Sequence, residues 1–330
     1  MLATHAAHDL YFSTMQVRSW FPRWHTRELK VLASLIAVLS VVLIYWATPS
    51  FFTSGNVVNL LRQVAINGII ASGMTIVMIG GGFDLSVGAI LALSGVLAIQ
   101  LAKTNVWFGI LCPVALGAGA GLLNGTLVSR FAINPLIVTL GSRYLVYASA
   151  NLFTAGFIQY NGNPAFLVLG RSSLAGIPAP VIVFLSVALI SHLILNHATI
   201  GAALFAVGSN ERAAFFSGLP SRNILTLSYA ATGACAALAG VVLASRLGVA
   251  APDAGEGYEL DAIAAVVIGG TSILGGAGSI QRTLAGVLLL GVLSNLLVLA
   301  GQSYEVQRIA TGLIIVLAVA FDLYRRRSHQ

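Results

Sequence analysis

Long apolar runs separated by short polar loops make up most of the chain after about residue 30. A transmembrane helix needs about 20 predominantly apolar residues, and this measure predicts about ten spans. They lie at roughly 31–48, 62–80, 88–102, 107–128, 135–155, 179–195, 223–247, 261–274, 283–300 and 306–323. We therefore expect an all-α, polytopic integral membrane protein. The run 261–274 is short, and the run 62–102 could instead form a pair of half-helices. Between about eight and eleven crossings therefore fit the pattern.

The apolar run from Val64 to Ala102 contains one interruption, Gly80-Gly81-Gly82-Phe83-Asp84-Leu85-Ser86-Val87-Gly88. An ionisable side chain at the centre of a span costs on the order of 2.5 to 3.5 kcal/mol on insertion scales, so it usually faces protein or water. Non-helical backbone at membrane depth has the same requirement. The stretch predicts a broken or re-entrant segment near 80–88, where Asp84 accepts hydrogen bonds from backbone N–H groups that the break frees.

A second glycine-rich stretch repeats this pattern near the other end of the chain. Ile79-Gly80-Gly81 has an echo in Ile268-Gly269-Gly270, which is followed by further glycines up to Gly278. Transporters built from two repeats often carry such paired interruptions near their central site. We expect a second broken segment near 269–279, although glycine richness alone is an alternative explanation of the echo.

Composition agrees with a membrane protein and argues against a nucleic-acid-binding one. The 330 residues are 58% hydrophobic and only 8% charged, whereas soluble domains carry about 25% charged residues. The formal net charge is +7, but the basic residues lie at the two ends and in short loops, as is typical of cytoplasmic loops. We expect lipid bilayer rather than nucleic acid as the surroundings of this chain.

The charge distribution predicts orientation. Four basic residues lie in 18–30 and Arg325-Arg326-Arg327 near the C-terminus, whereas 248–261 carries four acids and no base. Both ends are therefore expected in the cytoplasm. This gives a cytoplasmic segment 1–30 that is not a cleaved signal peptide, a transmembrane domain 31–324 and a basic tail 325–330. Counting spans places 81–87, 129–134, 196–222 and 275–282 inside, and 49–60, 103–106, 156–178, 248–260 and 301–305 outside.

Motifs for catalysis, nucleotide binding and metal binding are not found. Neither Lys30 nor Lys103 follows the glycines of a phosphate-binding loop. No G-x-S-x-G or H-E-x-x-H stretch occurs, and Cys112 and Cys235 lack metal-ligand spacing. We expect a non-catalytic chain without cofactor or metal.

Polar residues within the apolar runs are candidates for lining a pathway. The alternative role of each candidate is helix capping or helix packing. The candidates are Asn67, Asp84, Ser86, Asn124, Asn134 and Thr139. Next to Asn124, the spacing Gly117-x-x-x-Gly121-x-x-x-Gly125 puts glycines on one helix face and predicts close helix packing.

The loop 207–222 contains a short amphipathic helix in its sequence pattern. Ala213 and Ala214, with Phe215 or Phe216, are expected to form an apolar side, Glu211 and Arg212 a polar one, and Gly218 the end. An ordinary surface loop between spans is the alternative.

From about Pro49 to Tyr324 the sequence resembles the permease subunits of bacterial ATP-binding-cassette sugar importers of the ribose type. The resemblance rests on five stretches, namely Asn67 to Thr75, Gly81 to Gly88, Leu123-Asn124-Gly125 with Ile133 to Gly141, the loop 207–219, and Glu259 to Ser272 with Gly275-Gly276. Two departures are small: Phe83 stands where the pattern usually has Ile, and Asn134 precedes Pro135 where the pattern is looser.

The resemblance implies an importer of the bacterial inner membrane with several subunits. Two permease chains would form one pathway, cytoplasmic ATPases would drive it, and a periplasmic binding protein would deliver a monosaccharide. It also implies that the loop docks into the ATPase through Gly208, Asn210, Glu211, Ala213, Ala214 and Gly218. Related permeases for branched-chain amino acids or nucleosides are the alternative, and a self-powered secondary transporter is a more distant one.

Overall fold

The computed structural model describes residues 49–327 of the chain, so the predicted segment 1–30, the span 31–48 and the last three residues lie outside the described part. A short 3-10 helix, Pro49–Phe52, comes first. The α-helices that follow are α1 Ser54–Ile79, α2 Val87–Leu101, α3 Val106–Phe131, α4 Pro135–Thr154, α5 Pro164–Arg171, α6 Ala179–His197, α7 Thr199–Ser209, α8 Glu211–Phe216, α9 Ser221–Leu247, α10 Tyr258–Ile268, α11 Ile280–Leu299 and α12 Tyr304–Arg327. Two short antiparallel pairs join β1 Gln159–Tyr160 to β4 Val249–Ala250, and β2 Ser173–Leu174 to β3 Ile177–Pro178.

Membrane-length helices dominate, as the apolar pattern predicts. Within residues 49–327, five helices are both long and apolar enough to cross a bilayer: α1, α3, α6, α9 and α11. The helices α2 and α7 are apolar but shorter, and α10 ends at Ile268, six residues before the predicted end of its span. The chain is therefore a helical membrane protein.

The centre of the bundle is formed by α1 and α9. Of the 18 consecutive residues that are most apolar in each helix, 78% are buried in α1 and 67% in α9, but only 22% in α3. Helices that are apolar on every side are typically buried on every side. The outer helices therefore have apolar surfaces left over for lipid, such as the exposed Leu111 and Leu116 of α3.

The predicted glycine face of α3 packs directly against α9. Gly117 lies beside the backbone of Gly233, Gly121 beside the carbonyl of Tyr229, and Gly125 beside Thr226. A side chain on α3 would hold these two backbones apart, so the glycines permit the close approach. This confirms close packing as the role of the Gly-x-x-x-Gly spacing.

Several loops that are predicted to lie on the same side of the membrane contact one another. At one end, β1 pairs with β4, Asn163 Nδ2 donates to Ala102 O at 2.9 Å, and Arg171 donates to the carbonyls of Arg246 and Leu247. The last contact places a base in a segment predicted to lie outside, because its guanidinium satisfies carbonyls that the end of α9 leaves unpaired. At the other end, the loop after α10 meets the end of α1.

Asparagine side chains start several of these helices. Asn105, Asn134, Asn163 and Asn210 each accept a hydrogen bond from a backbone N–H in the first turn of α3, α4, α5 and α8, respectively. Asparagine is a favoured N-cap because its carbonyl oxygen satisfies an N–H without an intrahelical partner. The alternative capping role of Asn134 is thus the one its contacts support.

The α3–α9 contact yields a matched pair of glycine substitutions. A Cβ at Gly121 would collide with the carbonyl of Tyr229, whereas a Cβ at Gly119, on the same helix, meets nothing within 4 Å. We expect Gly121→Ala to lower the melting temperature of the detergent-solubilised protein by several degrees, because overpacking typically costs about 1–3 kcal/mol. Gly119→Ala is the control and should melt like the wild type. Equal melting of all three proteins would contradict the close-packing account.

Candidate functional site

The two predicted breaks share one backbone geometry. Each helix ends in a pair of glycines of which the second has a positive φ, +84° at Gly81 and +78° at Gly270. In both, the second glycine and the residue after it donate back into the last turn, in a Schellman ending. The four bonds are Gly81 N to Met78 O, Gly82 N to Val77 O, Gly270 N to Val267 O and Thr271 N to Val266 O. The sequence echo therefore corresponds to a repeated structure.

The backbones of the two breaks touch each other and the end of α7. Gly276 N donates to Ile79 O at 2.8 Å. Gly208, in the last turn of α7, lies against that same carbonyl and against Gly276, so closely that a Cβ at position 208 would collide with both. A Cβ at Gly275 would likewise collide with Gly208 and Gly81, and both Gly81 and Gly275 have a positive φ that favours glycine. We call Gly208, Gly81 and Gly275 the glycine contact.

Asp84 lies at the centre of a buried hydrogen-bonded group beyond the first break. Its Oδ1 accepts from the backbone N–H of Ser86 at 2.8 Å and from the Ser86 hydroxyl. Asn124 Nδ2 of α3 donates to that hydroxyl at 3.0 Å. All three side chains are almost completely buried, and Asp84 Oδ2 has no hydrogen-bond partner. The structure brings three of the predicted pathway residues together, with Asp84 holding the start of α2.

Tyr229 fixes the same break from the side of α9, and sequence reasoning missed it. Its hydroxyl accepts from Phe83 N at 3.1 Å and donates to Phe83 O at 3.0 Å. The ring is completely buried. One hydroxyl therefore satisfies both backbone groups of a residue outside any helix. The signal in the sequence that could have identified Tyr229 was a single tyrosine in a span otherwise built largely from small residues.

The remaining predicted pathway residues make no hydrogen bond to this group. Asn67 lines a cleft of about 460 Å³ at the end of the bundle that carries the loop 248–257. Thr139 is buried and its hydroxyl donates to Pro135 O, within its own helix. Asn134 is exposed and caps α4. Their contacts give Thr139 and Asn134 structural roles, while the contact of any of the six with a substrate stays a prediction.

The α8 segment, residues 210–218, projects from the end of the bundle that carries the glycine contact. Asn210 caps it, Ala214 is buried, and Gly218 ends it with φ +84°. Phe215 and Phe216 are 57% and 85% exposed, and Glu211, Arg212 and Ala213 are also exposed. α8 is therefore held to the bundle by Ala214 and presents both phenylalanines outward, while the expected division into one apolar and one polar side stays a prediction.

Two acids of the predicted outer loop belong to α10 instead. Glu259 is buried, and its Oε1 lies 3.0 Å from Arg143 Nη2 of α4. Asp261 pairs with Arg308 of α12 at 3.7 Å. A buried carboxylate requires such a partner, so the Glu259–Arg143 pair holds α10 to α4. Asp253 and Glu256 remain in the acidic loop that is predicted to lie outside.

The protein is a helical bundle of membrane-spanning length with two glycine-rich breaks packed against each other, as is typical of multi-pass transport components. Residues 56–319 match the family of branched-chain amino acid transport system permease components, and the chain belongs to that family. It is 42% identical over 296 residues to the ribose import permease protein RbsC of Bacillus subtilis (strain 168), covering 87% of this chain and 90% of the relative.

Further relatives agree. The ribose import permease protein RbsC of Escherichia coli (strain K12) is 38% identical, with 94% of this chain and 98% of the relative covered. The D-allose transport system permease protein AlsC of the same strain is 35% identical, with 88% and 89% covered. No solved structure matched the chain significantly. The predicted resemblance to permeases of the ribose type is confirmed.

The bridging role of Tyr229 can be tested by removing its hydroxyl, with the same substitution at an exposed tyrosine as the control. Tyr229→Phe removes the hydroxyl from both backbone groups of Phe83 and should cost about 1–3 kcal/mol, the usual penalty for unsatisfied buried polar groups. We expect a melting temperature several degrees lower. Tyr160→Phe, at a 65% exposed tyrosine, is the control. A Tyr229→Phe protein that melts with the wild type would show that the bridge contributes nothing.

Proposed function

We propose that this chain is the permease subunit of an ATP-driven importer that carries a monosaccharide across the bacterial inner membrane. The similarity to ribose and allose permeases along nearly the whole chain supports the substrate class. The observation that carries the mechanism is the glycine contact, in which the helix preceding α8 meets both breaks.

In this proposal α8 docks into a cytoplasmic ATPase and passes its movement inward. Asn210 both ends α7 and caps α8. A displacement of α8 therefore acts on α7, whose Gly208 is in contact with the ends of α1 and the loop after α10. Packed elements with two arrangements transmit such shifts better than deformable ones. The coupling residues on this route are Gly208, Asn210, Glu211, Ala213, Ala214 and Gly218.

Partner chains supply what this one lacks. Without a phosphate-binding loop, the chain needs an ABC ATPase for hydrolysis and acts itself as a non-catalytic subunit. A periplasmic sugar-binding protein would deliver the substrate, and a second permease copy or a paralogue would complete the pathway. About ten spans over 31–324, with cytoplasmic segments 1–30 and 325–330 at the two ends, complete the proposed layout.

The pathway is proposed to pass the polar residues that interrupt the apolar spans. Asp84, Ser86 and Asn124 form one buried polar group, and the free Oδ2 of Asp84 is a site for contact when the break opens. Asn67 lies nearer the opposite end. The proposal that Asn134 and Thr139 line the pathway has weaker support, because their contacts are those of helix capping and helix packing.

Docking through α8 predicts a specific loss of the ATPase. Ala213→Trp and Phe216→Ala change exposed side chains without touching the buried Ala214. At interface centres such changes commonly cost more than about 1 kcal/mol, so co-purification of the ATPase should fall several-fold. Phe157→Ala is the control, since Phe157 is also exposed but lies in the 156–178 loop at the opposite end. The measurements are ATPase recovery and substrate-stimulated ATP hydrolysis in membranes with equal permease content.

Unchanged recovery and hydrolysis in both α8 variants would remove α8 as the coupling element. It would also favour the alternative of a self-powered carrier, for which the Arg143–Glu259 pair is the one acid–base pair with a buried carboxylate among the described residues. An importer for a nucleoside or a branched-chain amino acid would lose the ATPase equally, so substrate competition in uptake assays separates those alternatives.

Orientation is tested by single cysteines in a chain with Cys112→Ser and Cys235→Ala. Ser217, beside α8, and Ser303, before α12, are both exposed and belong to opposite ends of the bundle. Because the basic segments are expected in the cytoplasm, a membrane-impermeant maleimide should label Ser303→Cys in intact spheroplasts and Ser217→Cys only after lysis. The reverse pattern would invert the proposed topology.

A further inference from the structure

A polar cleft opens between α1, α10, α11 and α12 at the end of the bundle opposite the glycine contact. It has a volume of about 460 Å³, within the range of small-molecule sites, which hold a few placed polar groups. Its lining includes Asn67, Asp261, Ser294 and Arg308. Polar side chains in a membrane protein face water or a ligand rather than lipid, so the cleft is not a lipid-facing groove.

Arg308 organises one wall of the cleft. Its guanidinium donates to Glu256 O at 2.8 Å and to the Tyr304 hydroxyl, and it lies 4.8 Å from the centroid of the Tyr304 ring. Asp261 Oδ1 lies 3.7 Å from it, which is too long for a strong hydrogen bond. The carboxylate therefore keeps acceptor capacity toward the cleft.

Asn67 of α1 also lines the cleft and has an unused acceptor. Its Oδ1 is buried and has no hydrogen-bond partner. A buried amide oxygen without a partner costs about 1–3 kcal/mol, so a rotation of the Asn67 side chain that turns this oxygen toward a donor in the cleft is favoured. The unpaired oxygen is the observation that most directly indicates a ligand with O–H groups.

Charge narrows the class of ligand. Three carboxylates, from Asp253, Glu256 and Asp261, line the cleft with one base, Arg308. Such a site repels the carboxylate of an amino acid and the phosphate of a sugar phosphate. It suits a neutral molecule with many hydroxyls, since carboxylate and amide oxygens accept from hydroxyls while the guanidinium donates to them.

We propose that this cleft binds the monosaccharide on the outer side of the membrane, before the sugar passes the breaks. The inference rests on the proposed function and adds a site to it. Asn67 and Asp261 accept from the sugar hydroxyls, and Arg308 donates to a hydroxyl oxygen. In this scheme the permease selects neutral sugars itself, in addition to any selection by a binding protein.

The test uses a cysteine reporter inside the cleft. In the chain with Cys112→Ser and Cys235→Ala, Ser294→Cys places a thiol in the lining, and Ser303→Cys places one outside the lining as the control. The complete importer in intact spheroplasts is treated with a membrane-impermeant maleimide, with or without millimolar ribose, L-arabinose, D-allose or leucine. We expect at least one sugar to slow labelling of Ser294→Cys several-fold, leucine to have no effect, and Ser303→Cys to react equally throughout.

Two substitutions then separate binding from folding. Asn67→Leu and Asp261→Asn should abolish the protection and reduce sugar uptake. Asn196→Leu is the matched control, because Asn196 is exposed and its side chain bonds only to His192 of its own helix. Normal membrane abundance and unchanged labelling of Ser303→Cys in every variant establish that the chain is folded.

The outcomes distinguish a failure of the cleft proposal from a failure of the proposed function. If the wild type imports none of a panel of pentoses and hexoses that includes these three sugars, the proposed function fails regardless of labelling. If it imports one and that sugar does not slow labelling, or if Ser294→Cys never reacts while Ser303→Cys does, the cleft proposal alone is overturned. Protection by leucine would instead assign the cleft to amino acids.

Discussion

The structure depends on how the backbone groups at two interrupted helices are hydrogen-bonded away from bulk water. Each break solves part of the problem locally, through a Schellman ending whose positive φ glycine adopts without strain. The rest is solved by other elements: Tyr229 bridges Phe83, Asp84 and Asn124 hold Ser86, and Ile79 O accepts from Gly276. Because unsatisfied peptide groups are costly away from water, each of these partners stabilises the break that it serves.

Glycines determine where helices approach, and this links packing to transport. The α3–α9 crossing uses Gly117, Gly121 and Gly125 to bring Asn124 and Tyr229 to the first break from two sides. Gly208 performs the same function for α7, which continues into the exposed α8 segment. A chain of backbone contacts therefore runs from the surface proposed for the ATPase to the buried polar group. Small residues make such a route stiff, since no side chains intervene to absorb a displacement.

Charges are distributed according to the same constraint. The buried acids each have a defined set of partners: Asp84 has hydroxyl and amide groups, and Glu259 has Arg143. Arg171, in a segment predicted to lie outside, is used to satisfy the last carbonyls of α9. A count of charges along the chain treats all of these as topology signals, whereas several of them are structural contacts between helices.

The sequence by itself determined the membrane class, the membrane-length helices, the two breaks, the glycine face of α3 and the family, because apolar length and glycine spacing are local properties. It placed the end of α10 too late, since that end depends on neighbouring segments. Only the tertiary structure decided that Asp84, Ser86 and Asn124 meet, that Tyr229 joins them, and that Asn67 belongs to a separate cleft with Arg308. These partners are up to 241 residues apart in the chain, from Asn67 to Arg308, and packing alone brings them together.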